Sequence, residues 1–417
     1  MTKWENVELG SVCEVVRGGS PRPIIDYITE EEDGVNWLKI GDVKETDKYF
    51  THAAERIKPS GIPKTREVKS GDLILSNSMS FGRVFITLIN GYIHDGWLRL
   101  RVNEEKLDKE YLYYFLTSSI AQNQFKAVAT GSVVNNLKSD TVKAIRIDLP
   151  SLKEQKRIAD VLNMFDEKIK NNEEINDNLE QQAVTLFRSW FTSFSQSENV
   201  NMKTSEFGDI PENFSIVKVG SLPMLVTDYV ANGSFASLKE NVTLYQEPNY
   251  AYFIRNTDLK SGSFEVFVDK HSYEFLSKST LFGGEIIISN VGDVGSVFLC
   301  PKLDGPMTLG NNIIMLRPED DHLRYYLYIW FKHLQGQAII QGIKGGSAQP
   351  KFNKTDFKNT SILLPPAELL TLFHEVVAPM FELISQNQAE IKRLSNIRDA
   401  LLTKLMSGEL DVSDIDL

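Results

Sequence analysis

The sequence predicts an α+β protein built as a duplication: two similar mixed globular units, each followed by a long helix. Three observations carry this. Ile158, Leu162, Phe165, Ile169, Asn172, Asn176, Leu179, Ala183, Leu186 and Trp190 recur at alternating steps of four and three, the a/d spacing of a helix that pairs along one seam. The row returns 215 residues later as Phe373, Val377, Met380, Ile384, Asn387, Ile391, Leu394, Arg398, Leu401 and Leu405, with Asn387 in the place of Asn172. The segments ahead of the helices match as well. Trp4, Val7, Leu9, Gly10 and Ser11 answer to Phe214, Val217, Val219, Gly220 and Ser221, and Gly71-Asp72-Leu73-Ile74-Leu75-Ser76-Asn77 answers to Gly284-Glu285-Ile286-Ile287-Ile288-Ser289-Asn290. Further on, Gly82, Val84 and Phe85 meet Gly295, Val297 and Phe298, Gly131-Ser132 meets Gly346-Ser347, and Leu149-Pro150 meets Leu364-Pro365. A register held over this length with small drifts marks an internal repeat.

The organisation that follows is a globular unit at 1–150, a long helix at 151–197, a second unit at 198–365, and a second helix with an acidic tail at 366–417. In chain order, the Gly- and Pro-rich run from Arg17 to Pro23 reads as a surface loop. Asn36 to Ile40 alternates like a strand, and residues 71–77 form a turn and a strand that Val84-Phe85-Ile86 returns. Leu112, Tyr113, Phe115, Leu116 and Ile120 predict one helix near 108–125. A strand at 145–149 leads through Pro150 to Ser151, whose Glu154 three residues on completes a capping-box pattern. In the second long helix Pro379 predicts a kink or break, Gly408 the C′ position, and residues 409–417 a frayed end.

Composition narrows the function. The chain has 417 residues, 42% of them hydrophobic, and a net charge of −11, which argues against a simple nucleic-acid coat. The acidic excess lies mainly on the helices: residues 1–150 carry 20 basic against 21 acidic groups, and 201–364 carry 15 against 17. The globular units can therefore still present a local basic face. Two cysteines, Cys13 and Cys300, make neither a four-ligand zinc site nor a disulfide framework. With no apolar leader and no apolar run of about 18–20 residues, the expectation is a soluble cytoplasmic protein.

Residues that could read a partner are polar loop positions at matching places in the two copies. In the first they are Arg17, Ser20, Arg22, Lys39, Ser76, Asn77, Ser78, Arg83, Ser132 and Asn135. In the second they are Tyr229, Asn232, Ser234, Arg255, Asn256, Ser289, Asn290, Asp293, Lys344, Ser347, Gln349 and Lys351. Arg, Lys, Asn and Gln pair with base edges, while Ser, Lys and backbone donors serve phosphates. Matched copies carry unlike loops, Ser78-Met79-Ser80-Phe81 against Val291-Gly292-Asp293-Val294, as two specificities on one scaffold would. The helix-pairing set is Ile158, Leu162, Phe165, Ile169, Asn172, Leu179 and Leu186 with Val377, Ile384, Asn387, Ile391, Leu394, Leu401 and Leu405. The asparagines are either solvent-facing breaks in the seam or markers of register.

The chain resembles the specificity subunits (HsdS) of type I restriction–modification systems. The resemblance rests on Leu149 to Ile158, Gly71 to Gly82, Gly346-Ser347-Ala348-Gln349-Pro350-Lys351-Phe352-Asn353, Leu364-Pro365-Pro366, and Leu401 to Leu410. It implies two α/β-mixed target-recognition domains separated by long helices that pair as an antiparallel coiled coil. It further implies that each domain reads half of a split site in double-stranded DNA, and that the helices set the gap and hold two methyltransferase subunits. Restriction subunits would join that core. S-adenosylmethionine, and ATP with Mg for restriction, would belong to those partners, and the chain itself would be non-catalytic and hold no metal. The first copy departs from the pattern, with Val133-Val134-Asn135-Asn136-Leu137 where the second has Ala348-Gln349-Pro350-Lys351-Phe352.

Two other classes compete. A coiled-coil scaffold or fibre without DNA specificity would bind protein or glycan with little sensitivity to salt, whereas DNA binding weakens steeply with salt. An enzyme would need a motif. His94-Asp95 offers half of a general-base pair without a nucleophile, and Gly18-Gly19 and Gly283-Gly284 lack the rest of a dinucleotide fingerprint.

Overall fold

The computed structural model describes residues 4–44, 47–77, 82–128, 136–197, 201–346 and 349–412. It divides into two compact units, Met1–Asn171 with Glu390–Leu417, and Asn172–Ala389. The long helices Leu152–Phe191 and Ala367–Met406 each contribute one stretch to each unit.

In the first unit the strand Glu5–Glu8 pairs antiparallel with Arg146–Leu149, Val7 opposite Ile147, and so joins the two ends of the globular part. Between them lie two five-stranded sheets. One runs Cys13–Arg17, Trp97–Val102, Leu73–Ser76, Val84–Thr87, Tyr49–Phe50; the other runs Ile28–Thr29, Glu55–Ile57, Val35–Leu38, Gly91–Ile93, Arg66–Val68. The run Leu73-Ile74-Leu75 is apolar throughout because the sheet is covered on both faces. Leu73 and Leu75 enter a core shared with Tyr111, Phe115, Ile158 and Leu162, while Ile74 points the other way with Phe85 and Trp97. Successive side chains alternate faces, so one strand serves two cores.

The second unit repeats this plan. Ser215–Lys218 pairs with Ser361–Leu364. One sheet runs Met224–Asp228, Ile313–Pro318, Ile286–Ser289, Val297–Leu299, and the other Leu244–Tyr245, Phe267–Val268, Ala251–Ile254, Met307–Leu309, Thr280–Leu281. The parallel pairing of Ala251–Ile254 with Met307–Leu309 reproduces that of Val35–Leu38 with Gly91–Ile93. Among the described residues, Tyr49–Phe50 has no counterpart strand in the second unit. Ile286 and Ile288 face one core and Ile287 another.

The repeat extends to single hydrogen bonds. Gln122 Nε2 donates to the carbonyls of Gly82 and Leu116 at 2.9 and 2.7 Å, and Gln337 Nε2 to those of Gly295 and Phe331 at 2.8 and 2.5 Å. Gly82 and Gly295 hold φ +90° and +103°, and a Cβ at either would come within 3 Å of that glutamine's Oε1. Glycine is favoured at both by the positive φ, and a Cβ would also push the glutamine amide out of place. A buried acid under each sheet is met by an arginine, Asp72 by Arg101 at 2.8 and 2.6 Å, Glu285 by Arg317 at 3.2 and 2.9 Å.

Within the first unit Arg398 Nη1 meets Asp166 Oδ1 at 2.7 Å and Lys168 lies 3.8 Å from Glu390. Within the second, Asn387 Nδ2 donates to Asn176 Oδ1 at 2.8 Å and Phe373 packs on Phe187, Trp190 and Phe191. Early residues of one helix meet late residues of the other in both units, so the helices pair antiparallel. Ile158, Leu162, Asn172, Ala183, Phe373, Val377, Asn387 and Leu405 are buried, and Phe165, Ile169, Leu179, Leu186, Ile384, Ile391, Leu394 and Leu401 half-buried. Asn387 pairs with Asn176, one turn beyond Asn172, and both Asn387 and Asn172 are buried, so neither is a solvent-facing break in the seam.

Three expectations are corrected. The single helix near 108–125 is two, Lys109–Thr117 and Ser119–Val128. Ser118 is extended at the break, its Oγ donating to the Phe115 carbonyl at 2.6 Å and accepting from Ala121 N; serine competes for the backbone in this way. The second long helix runs unbroken past Pro379, because Pro379 and Glu375 lie on its exposed side, where the carbonyl deprived of its donor faces water. The tail is anchored at least to Val412, which is fully buried in the first unit's core. Gly408, at φ +70°, closes the helix as expected: its N–H reaches Leu405 O and that of Glu409 reaches Lys404 O, the Schellman pair.

Candidate nucleic-acid interface

In the first unit the loop after Cys13–Arg17 closes on the turn His94-Asp95-Gly96. Gly18 N–H donates to Trp97 O and Gly19 N–H to Ile93 O. A Cβ at Gly18 would lie 2.1 Å from His94 O, and one at Gly19 2.5 Å from Lys64 O. The glycine pair thus serves close approach of two loops, not a cofactor. Four candidates converge on Asp95. Ser20 Oγ donates to its Oδ1 at 2.7 Å and Arg22 Nη2 to its Oδ2 at 3.1 Å; Arg17 Nε and Asn77 Nδ2 donate to its carbonyl at 3.1 and 2.9 Å. Asp95 is held below the usual carboxylate range, first by the Ser20 hydrogen bond and also by Arg22. The Arg22 side chain remains 79% exposed, so its guanidinium is held at one edge and open at the others. His94 Nδ1 accepts from Gly96 N at 2.8 Å, and burial lowers its pKa despite Asp95 and Asp42. It is a turn-forming residue.

In the second unit the convergence falls elsewhere. Asp293 Oδ2 accepts from Ser296 Oγ at 2.6 Å and Asn256 Nδ2 at 3.3 Å and pairs with Lys260 at 2.6 Å; the Lys260 contact leads in lowering its pKa. The same loop joins residues 345–346 and 349–352. Gly292 N–H donates to Pro350 O, Gly345 and Lys351 exchange both backbone bonds at 2.8 Å, and Phe352 N–H reaches Asn290 O. Gln349 and Lys351 are exposed there, as is Lys344 just before them. Arg255 is bound to Asp258 through Nε and Nη2, and Asp258 also accepts Arg255 N–H at 2.9 Å. Lys39 stands at the matching place, its N–H on Asp42 at 3.0 Å and its ammonium on Glu55.

Several candidates prove to be framework. Ser76 and Ser289 are fully buried at strand ends, and Asn77 nearly so. Ser76 Oγ accepts Arg83 N at 3.0 Å, and the Asn290 amide is turned to Phe352 O at 3.2 Å. Asn232 is consumed by Tyr229 O, Ser279 Oγ and Lys278 N. Ser234 caps the helix Phe235–Asn241, and Tyr229 packs edge-on against Phe253 at 5.7 Å. Ser76, Asn77, Asn290, Asn232 and Ser234 read as loop polarity in a sequence, whereas the fold spends them on its own backbone. Ser78, Ser132, Asn135 and Ser347 lie outside the described residues. The sequence reading missed Lys260 and Ser296. Lys260 is legible only as the residue four beyond Asn256 on a helix. Asp95, weighed there only for catalysis, carried the signal of an Asp-Gly turn. Among the described residues no group of three His, Cys, Asp or Glu is placed to hold a metal, and no helix is long and apolar enough to cross a membrane.

Two copies of one sheet frame, each ending in differently built basic loops and joined by paired helices, define a duplicated recognition protein. The family model for the type I restriction modification DNA specificity domain matches residues 1–181 and 228–393, and the chain belongs to that family: it is the specificity subunit of a type I restriction–modification complex, not a catalytic one. It is 27% identical over 99% of its length to the MjaIX specificity subunit of Methanocaldococcus jannaschii, covering 94% of that chain, and 23% identical over 98% to the HindI specificity subunit of Haemophilus influenzae, covering 100%. The crystal structure of the type I S subunit from M. genitalium shares the fold, with a TM-score of 0.56 at 20% identity and 96% of each chain covered.

Proposed function

We propose that the two globular parts, 1–150 and 198–365, are target-recognition domains that each read one half of a bipartite site in double-stranded DNA. The helices at 151–197 and 366–417 set the gap and seat methyltransferase subunits, to which restriction subunits add. The observation that carries this reading is the repeat itself: the frame agrees to single hydrogen bonds while the basic loops differ. A span from Ile158 to Trp190 rises roughly 48 Å, long enough to hold two readers apart. In the first unit Arg17, Arg22, Lys39 and Arg83 are the groups offered to DNA; in the second, Arg255, Asn256, Lys260, Lys344, Gln349 and Lys351 are. The acidic helices suit basic protein partners better than phosphate.

The test is co-purification with a type I methyltransferase subunit, followed by mapping of N6-methyladenine in DNA exposed to the complex. A split motif with a fixed gap supports two readers and a spacer. A continuous motif means that one unit reads, and the absence of any complex refutes the assembly. Binding that survives rising salt unchanged would favour the protein- or glycan-binding scaffold instead.

A further inference from the structure

We infer that Asp95 and Asp293 are positioning residues, each fixing a cationic segment of its unit, a loop in the first and the helix Asn256–Ser261 in the second, in the geometry that meets DNA, from different loops of the same frame. The inference rests on the reading of the two units as DNA readers. A carboxylate on a face that meets phosphate is repulsive by itself. Its presence has to be explained by what it holds.

Asp95 holds the most. Its carboxylate takes Ser20 and Arg22, its carbonyl takes Arg17 and Asn77, and its own N–H lies 3.3 Å from Ser20 Oγ. Both ends of the loop 17–22 are thereby tied to one residue. An unbound arginine gives up much rotamer freedom when it docks on a base edge or phosphate, and one already oriented gives up less. Arg17 and Arg22 keep donors free after these contacts, because a guanidinium has five N–H groups.

Asp293 does the equivalent for Asn256 and Lys260, with Ser296 closing its own hairpin. The two acids are not equivalent in the repeat. Asp95 lies between the strands Gly91–Ile93 and Trp97–Val102, whereas Asp293 lies in the hairpin between Ile286–Ser289 and Val297–Leu299. The connection that corresponds to Asp95, Gly310-Asn311-Asn312, has no acid, and neither does Ser78-Met79-Ser80-Phe81, which corresponds to the Asp293 hairpin. One physical task has been moved to another loop, so the two units present different segments to their halves of the site.

The experiment uses the full chain assembled with its methyltransferase subunits, with methylated sites mapped on DNA of random sequence. Asp95→Asn should relax discrimination in one half of the motif about tenfold, the value of one good charged contact, and leave the other half intact; Asp293→Asn should do the reverse. Arg22→Ala combined with Asp95→Asn should relax that half no further than Arg22→Ala does alone, since the acid acts through the arginine. Arg22→Ala also keeps the question open should Asp95→Asn fold poorly. The inference is overturned if both aspartate variants leave both halves unchanged, if each variant relaxes both halves alike, or if the two changes at Arg22 and Asp95 add. A wild-type complex that methylates no split site removes the underlying reading first, and that failure is visible before any variant is made.

Discussion

Gln122 and Gln337 perform one task in two places, each amide tying a glycine turn to the end of a helix. Asp95 and Asp293 perform one task in two different places. Between these pairs lies the division of labour in the molecule. The frame is constrained by backbone conformation at Gly82 and Gly295 and by the glutamine bonds beside them, and a duplicated sequence has kept it. The loops are constrained only to be ordered and polar, so any acid within reach of the cations can hold them. The helix stretches differ in a third way. In the first unit the seam is aliphatic, Ile158 and Leu162, with Asp166 taking both Arg398 and the Tyr114 hydroxyl. In the second it is aromatic, with Phe191 centred 5.0 Å from Tyr326 and 4.9 Å from Phe373.

That last contrast predicts the largest effects. Phe191→Ala should destabilise the second unit by about 3–5 kcal/mol, since a fully buried ring leaves a cavity among other rings that cannot collapse. Leu162→Ala should cost the first unit about 2–5 kcal/mol. Denaturant unfolding, with hydrogen exchange to locate the loss, would separate the two. Loss of protection spread evenly over both units after either substitution would show that the seam does not divide as the packing says.

Next in size are the polar contacts within the seam. Arg398→Ala leaves Asp166 partly buried without its cation and should cost about 1–3 kcal/mol. Asn387→Leu should cost no more than about 1 kcal/mol, and can even stabilise, because a polar pair in a seam serves register at the expense of stability. Its consequence should appear in the methylated motif as a blurred gap. An unchanged gap with Asn387→Leu would refute the register role.

How far all this was legible depends on period. The two long helices, the turn-and-strand at 71–77 and 284–290, the C′ glycine at 408 and the duplication follow from spacing that the fold obeys. Phe187 and Phe191 were missed because the second unit's helix 322–332 packs beside the seam and widens the apolar face, which an a/d row cannot show. Pro379 was overread: the sequence gives the missing donor but not the side of the helix it faces. Among candidate contacts, Arg17, Arg22, Lys39, Arg255 and Asn256 keep exposed or half-exposed side chains, whereas Ser76, Ser289 and Asn232 turned inward. Polarity and loop position do not distinguish the two groups; burial in the folded unit sets Ser76 and Ser289 apart.

The repeated glutamine gives a more even-handed test. Gln122→Ala and Gln337→Ala should each cost about 1–2 kcal/mol, by leaving two carbonyls without their donor, and the two losses should agree within about 0.5 kcal/mol. Equal losses would show that the frame is energetically duplicated. A clear inequality would mean that geometry was kept while its energetic weight was not.

The smallest effect is set by pH. Burial lowers the pKa of His94 in the first unit and of His333 and His374 in the second from the ordinary 6.5. Below 6.5 the unfolded chain takes up these protons before the folded one does, so stability falls as pH drops through 6.5 toward the folded values. The lowered carboxylates Asp95 and Asp293 do not enter that window. Their contribution is full above their ordinary 3.8 and is lost only as pH falls through still lower folded values. Between pH 7.5 and 5.5 the second unit, with two such histidines, should therefore lose more exchange protection than the first, with one. His94→Gln should flatten the first unit's pH dependence without touching the second's. A first unit that weakens as steeply after His94→Gln as before would place the titrating group elsewhere, and the comparison would then rest on packing alone.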